Sequence, residues 1–346
     1  MNYNILKNTN IEVSEVCLGT MTFGQQNDEQ QSHDIINESL NLGINFLDAA
    51  EMYPVPPKST TQGKTEEIIG SWIKKNDRSK IILATKVTGP GRNFDWIRGG
   101  PKAIDKENIK VALHNSLKRL NTDYIDLYQI HWPDRYVPNF GPSFYNVSKK
   151  RDSTFFFDQL DELNRYVKEG KIKYIGLSNE TPYGVLSFDV LSKKHGLVPM
   201  VSIQNAYNLL NRRYEYGLSE ITSYTGIPLL AYSPLAFGHL TGKYLKNCNI
   251  ENSRLSVFPE FGARYDKPNV KSAVIEYNKL AKELGISLTK LSLAFCYSRW
   301  FVSSTIIGVT NIDQLNENIE ALNFKITDDI EMEIFKIYQK FTDPAP

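Results

Sequence analysis

Short apolar runs alternate with longer amphipathic ones along the whole chain. Val16–Leu18, closed by Gly19, is followed by Asn45–Leu47, Ile81–Ala84, Leu127–Ile130, Tyr174–Leu177, Val201–Ile203, Leu229–Ala231 and Thr305–Ile307. Their length and β-rich composition predict strands. The stretches between them predict helices near 64–75, 106–120, 154–169, 182–195, 212–224 and 270–299. In the second of these, Ile109, Leu113, Ser116, Leu117 and Leu120 fall on one face. An earlier helical stretch carries Ile35, Ile36, Leu40 and Leu42 on one side. Ahead of it all, Tyr3–Leu6 and Ile11–Val13 flank a turn at Lys7–Asn10 and predict a small hairpin.

Strand and crossover helix repeated to eight strands imply a parallel sheet, either a closed barrel or an open doubly wound sheet. The connections decide between them. The segments 49–63, 131–152 and 233–269 are long and rich in Pro, Gly, Asn and aromatics, and each follows a strand and precedes a helix. Connections in the other direction, such as Asn41–Ile44 and Gly170–Lys173, are short. Elaboration on one side of an eightfold pattern is what a barrel with one functional face shows. The expected fold is an α/β (β/α)8 TIM barrel with an N-terminal β-hairpin and extra C-terminal helices. A barrel of this kind takes about 250 residues or more, so the 346 residues read as one domain spanning 1–346.

The last residue of each apolar run carries the chemistry. Phe46-Leu47 runs into Asp48, Ile81–Thr85 into Lys86, Leu127–Ile130 into His131, Ile175–Leu177 into Ser178-Asn179, Ile203 into Gln204 and Leu229–Ala231 into Tyr232-Ser233. In a barrel these positions converge on one mouth. Asp48 alone could cap the next helix. Lys86 needs a partner after a buried strand, and a structural ion pair with Asp48 is one reading. A lone His131 could be a hydrogen-bonded core histidine, and Tyr53 is one tyrosine among 19. Together they form a candidate proton-delivery site. A phenol titrates near 10, and an adjacent ammonium would lower that value. Asp48 would hold Lys86, while His131 would donate to a carbonyl oxygen beside the Tyr53 hydroxyl.

These segments resemble the aldo-keto reductase superfamily. The resemblance rests on Asn45-Phe-Leu-Asp-Ala-Ala-Glu-Met-Tyr53, Ile82-Leu-Ala-Thr-Lys86, Asp126-Leu-Tyr-Gln-Ile-His-Trp132, Gly170-Lys-Ile-Lys-Tyr-Ile-Gly-Leu-Ser-Asn179 and the run Ile307–Asn318. It extends in order from about residue 3 to the C-terminus. Glu51-Met-Tyr-Pro-Val-Pro-Pro57 and Asp343-Pro-Ala-Pro346 are similar to the bacterial Tas-type branch, which is related to voltage-gated potassium channel β subunits. The resemblance implies NADPH-dependent reduction of aldehydes or ketones by a tetrad of Asp48, Tyr53, Lys86 and His131. Tyr53 would be the acid in reduction and the base in oxidation. It implies nicotinamide contacts from Ser178, Asn179 and Gln204, with Tyr232 stacked on the ring, and a floor of Gly19, Thr20 and Met21. Ser233, Leu235, Gly238, Leu240 and Lys243 would cover the pyrophosphate. Gly308, Thr310, Gln314, Glu317 and Asn318 would meet the adenosine end. Lys243 and Arg254 are candidates for the 2′-phosphate, which wants cationic donors; for Arg254 a solvated surface position is the alternative.

Composition narrows the remaining classes. Forty basic and 39 acidic side chains give a net charge of +1, which provides no general attraction to nucleic acid or an anionic membrane. Cys17, Cys248 and Cys296 are odd in number and form no CxxC pair, so a reducing compartment is expected. The first residues lack a basic region followed by an apolar run, and no stretch approaches the roughly 18 apolar residues of a membrane span. A cytoplasmic protein without membrane, nucleic-acid or obligate protein partner is the expectation.

Gly89-Pro-Gly91-Arg-Asn-Phe94 begins like a dinucleotide fingerprint but breaks it at Phe94. Histidines 33, 114, 131, 195 and 239 form no HxH or HxxxH pair, so no metal is expected, and His239 reads as a loop side chain. Phe23, Phe94, Trp96 and Trp132 are candidates for the pocket wall, with a core or surface place as the alternative for all but Trp132. Two other functions compete: a Schiff-base aldolase using Lys86, and a cofactor-binding regulatory subunit.

Overall fold

The computed structural model describes residues 1–245, 250, 253–258 and 262–346. Cys248 lies outside the described residues. Ten strands form: β1 (Tyr3–Ile5), β2 (Glu12–Ser14), β3 (Val16–Gly19), β4 (Phe46–Asp48), β5 (Ile82–Val87), β6 (Ile125–Ile130), β7 (Ile172–Ser178), β8 (Met200–Ala206), β9 (Leu229–Tyr232) and β10 (Val302–Gly308). The helices are α1 (Glu29–Asn41), α2 (Lys64–Ile73), α3 (Lys106–Leu120), α4 (Phe156–Lys168), α5 (Pro182–His195), α6 (Leu218–Thr225), α7 (Arg254–Val257), α8 (Val270–Glu283), α9 (Leu288–Tyr297), α10 (Ile312–Glu320) and α11 (Asp328–Lys340).

The eight strands β3 to β10 pair in parallel and close into a barrel, in the order β10-β3-β4-β5-β6-β7-β8-β9. The closed (β/α)8 alternative therefore holds over the open sheet. The hairpin β1–β2 is present and antiparallel, with Asn4 opposite Val13. Its Leu6 and Val13 pack with Cys17, Phe46, Ala84, Leu127, Val201 and Leu230, the inward layer of the barrel. A much larger core fills the space between the strands and the surrounding helices, where Ile36, Leu47, Leu83, Leu113, Leu163 and Leu291 are wholly buried.

The long 270–299 helix expected from the pattern is two helices. Gly285 adopts φ +70° after α8, and the Ser287 hydroxyl accepts from the Lys290 amide to start α9. A left-handed glycine stops one helix and a serine cap begins the next. The 212–224 stretch divides likewise, into a 3-10 turn at Arg213–Glu215 and α6, separated by Gly217 at φ +82°.

Strand register fixes the mouth. Gly19 stands opposite Asp48, Asp48 opposite Ala84, Lys86 opposite Gln129, Ser178 opposite Gln204 and Gly308 opposite Gly19. Residues separated by up to 289 positions thus share one end of the barrel. No described helix is long and apolar enough to cross a membrane.

Candidate active site

Asp48 ends β4, and its carboxylate has almost no exposure. Lys86 lies within β5 and has none. The Lys86 ammonium donates to Asp48 Oδ2 at 2.6 Å and to the Ala49 carbonyl at 2.7 Å. The second carboxylate oxygen of Asp48 accepts from Gln204 Nε2 at 2.8 Å and from Gln129 Nε2 at 3.3 Å. Burying the pair is tolerable because each charge has hydrogen-bond partners on more than one side.

Tyr53 sits five residues past Asp48, at the start of a loop that turns back over the mouth. Its amide donates to the Ala50 carbonyl, and the Gly63 amide donates to the Tyr53 carbonyl at 2.9 Å. The Lys86 ammonium lies 5.0 Å from the centre of the Tyr53 ring. The His131 ring meets the same ring edge-on, centroids 5.8 Å apart. The three residues singled out at strand ends and Tyr53 therefore stand together.

Their electrostatics differ from the expectation in one respect. The phenol of Tyr53 is pushed well above its ordinary range, first by burial and next by the Asp48 carboxylate. The lowering charge on Tyr53 is Arg254 rather than the anticipated Lys86, and burial outweighs it. Tyr53 thus holds its proton. His131 is driven well below its usual value, mainly by burial, then by the charges of Lys86 and Arg92. Its imidazole is neutral, and Nδ1 is buried with no hydrogen-bond partner among the described residues.

A cavity of about 620 Å³ opens above these groups. Tyr53, His131, Asp48, Gly19, Thr20 and Met21 form one part of its lining. Ser178, Asn179, Gln204 and Tyr232 form a second, tied internally: the Tyr232 hydroxyl donates to Asn179 Oδ1 at 2.7 Å, and Asn179 Nδ2 donates to the His131 carbonyl at 2.8 Å. The loop after β9 adds Ser233, Leu235, Gly238, Lys243 and Arg254. The β10–α10 end adds Gly308, Thr310, Gln314, Glu317 and Asn318. Leu240 lies beneath that loop, fully buried, with its carbonyl accepting from the Ser292 hydroxyl. Lys86 is likewise enclosed behind the wall.

Of the aromatic candidates, Trp132 and Phe94 line the cavity, Phe23 is in the core and Trp96 is exposed. His239 packs against Tyr244 and Tyr265 and lies off the cavity wall. Among the described residues there is no group of three or more His, Cys, Asp or Glu side chains that could hold a metal ion. The sequence reading missed Arg92, Phe140 and Arg264, which also line the cavity. They come from long loops whose path no periodicity encodes; the signal available was the cation after Gly89-Pro-Gly91.

The chain is similar in sequence to known proteins. A sequence model of the aldo/keto reductase family matches residues 15–339. Protein tas of Escherichia coli is 45% identical over the full length of both chains. An aldo-keto reductase of Babesia bovis is 42% identical over 280 residues, covering 77% of this chain and 98% of that protein. A probable voltage-gated potassium channel β subunit of Arabidopsis thaliana is 30% identical, covering 93% of this chain and 92% of its own. With its barrel closed around a family match of this extent, the chain belongs to the aldo/keto reductase family of oxidoreductases.

Proposed function

We propose that the chain reduces aldehydes or ketones to alcohols with NADPH, using Tyr53 as the general acid. The observation that carries this reading is the Tyr53 phenol set edge-on beside the His131 imidazole, both lining the cavity, with the sequestered Lys86–Asp48 pair behind them.

The cavity suits an extended dinucleotide. It continues from Tyr53 past Ser178, Asn179 and Gln204 to the N-terminus of α10, where backbone N–H groups and helix dipole favour anionic or polar groups. Lys243 and Arg254 line it, and neither has a carboxylate partner within 4 Å among the described residues. In this assignment they hold the 2′-phosphate, Gly238 and its neighbours cover the pyrophosphate, and Ser178, Asn179 and Gln204 hold the carboxamide. The bound NADPH supplies hydride.

The protein's own part is proton delivery and charge stabilisation. A carbonyl oxygen placed between Tyr53 and His131 accepts hydrogen bonds from both. An alkoxide is a stronger base than a phenolate, so a phenol with a raised pKa still gives up its proton to the developing oxyanion. A Schiff base at Lys86 is disfavoured, because its nitrogen is fully buried and held by two acceptors.

NADPH oxidation against a panel of aldehydes, with the alcohol product identified, tests the reading. Turnover that depends on Tyr53 supports it. Tight NADPH binding without turnover on any carbonyl would turn the assignment toward a cofactor-binding regulator.

A further inference from the structure

Besides Lys243 and Arg254, two further cations line the cavity with no acid to answer them among the described residues. Arg92 stands on the loop after β5, and Arg264 between α7 and α8. No carboxylate lies within 4 Å of either among the described residues. The Arg92 guanidinium rests 3.6 Å from the centre of the Phe140 ring and 5.1 Å from that of Trp132. Arg264 Nη1 reaches only the Tyr232 hydroxyl, at 3.4 Å, and its Nε is buried without a partner. Both line the same cavity, and burial, with the charge of Arg264, lowers the pKa of Arg92.

Both belong to the same side of the cavity as the reacting groups. Trp132, on which Arg92 leans, packs its ring 4.9 Å from His131, and His131 feels the Arg92 charge. Tyr232, which Arg264 touches, also donates to Asn179. Lys243 and Arg254, the cations assigned to the cofactor's phosphates, lie on the loop after β9, against Tyr244 and Phe237.

The Gly89-Pro-Gly91 segment explains how Arg92 is held there. The Trp132 indole N–H donates to the Pro90 carbonyl at 2.9 Å. A Cβ on Gly89 would stand 2.7 Å from Trp132 Nε1 and 2.9 Å from the Trp132 carbonyl, so only glycine lets the loop lie this close. The segment that looked like a broken phosphate loop is a clamp that seats Arg92 beside the mouth. A guanidinium stacked on an aromatic face keeps its N–H edge available in its own plane, the geometry that meets a carboxylate with two hydrogen bonds.

We propose that Arg92 and Arg264 form a carboxylate-binding fork, and that the carbonyl substrate carries a carboxylate group. The inference rests on the reductase reading for the carbonyl and on these two cations for the carboxylate. Apolar walls from Met21, Val55, Trp132 and Phe140 would enclose the carbon frame between the two ends.

Two measurements separate the inference from the reading beneath it. The first compares kcat/KM for 4-carboxybenzaldehyde and its methyl ester. Wild-type protein should favour the acid by about tenfold or more, and Arg92→Gln and Arg264→Gln should each cut that ratio by about tenfold, through KM. Arg92→Lys should restore part of it. A wild-type preference for the ester, or variants that lower both substrates alike or weaken NADPH instead, would overturn the fork. The second measures terephthalate binding to the NADP⁺-loaded protein by calorimetry, which needs no turnover. Arginine-dependent terephthalate binding without reduction of any aldehyde would retain the fork and remove the reductase reading. Reduction of aldehydes with no dependence on the carboxylate would do the reverse.

Discussion

The ammonium of Lys86 lies 2.6 Å from Oδ2 of Asp48 and has no solvent-exposed surface. Either charge alone would be stranded in the barrel. Asp48→Asn should therefore destabilise the protein by about 3 kcal/mol or more, because it leaves Lys86 buried and unpaired. Urea denaturation should show the double substitution Asp48→Asn with Lys86→Met to be less damaging than the sum of the single ones. Additive losses would mean the pair is not energetically coupled.

Tyr53→Phe removes the proton and little else. Carbonyl reduction should fall about a hundred- to ten-thousand-fold, while the Kd for NADPH, followed by fluorescence quenching, stays close to that of wild type. Because burial and Asp48 hold the phenol above its ordinary range, the reductive rate should stay level to beyond pH 10 before it declines. A fall in the reductive rate already at neutral pH would contradict that direction.

His131 is kept neutral in the folded chain by burial. In the unfolded chain it titrates near 6.5. Unfolded protein then binds the extra proton first, so this contribution to stability is complete above about pH 6.5 and is lost as the pH falls. His131→Asn should flatten the stability loss between pH 7.5 and 5. His239, also lowered by burial, remains in both proteins, so the difference between them isolates His131.

Lys243→Ala should weaken NADPH by about tenfold and NADH far less, since only NADPH carries the 2′-phosphate that a cation would hold. Titration of the two cofactors separates the outcomes; equal losses would place Lys243 elsewhere along the dinucleotide.

Gly70 sits where α2 crosses the end of α3. A Cβ there would overlap the Arg119 carbonyl oxygen, an atom that cannot turn away. Gly70→Ala should lower stability by about 1–3 kcal/mol, read as a drop in Tm with unchanged NADPH affinity. An alanine protein as stable as the parent would show that the helices can separate freely.

Much of this molecule was legible in one dimension because parallel strands bury both faces and announce themselves as apolar runs. Each of the eight barrel strands lies over its expected run, with ends displaced by a few residues, as at Tyr174–Leu177 against Ile172–Ser178. The polar residues that close six of the runs stand together at the candidate site. The break between α8 and α9 was written as Gly285 and Ser287 but hidden by apolar periodicity on either side. Arg92 was marked only as the cation after Gly89-Pro-Gly91 and Arg264 not at all, since their partners are rings and a hydroxyl from other parts of the chain.

The order of residues by itself determined the eightfold alternation, the side on which the loops lengthen and the choice of Asp48, Tyr53, Lys86 and His131 as candidates. These are local properties: hydrophobic period, turn chemistry and the polar residue at a strand's end. Only the closed barrel decided how those groups meet. It buries Tyr53 beside the Asp48 carboxylate, which holds the phenol above its ordinary range, and it brings Arg92 and Arg264 to the cavity wall with no carboxylate within 4 Å among the described residues. Burial and through-space charge depend on neighbours brought together from distant positions, and no spacing along the chain records them.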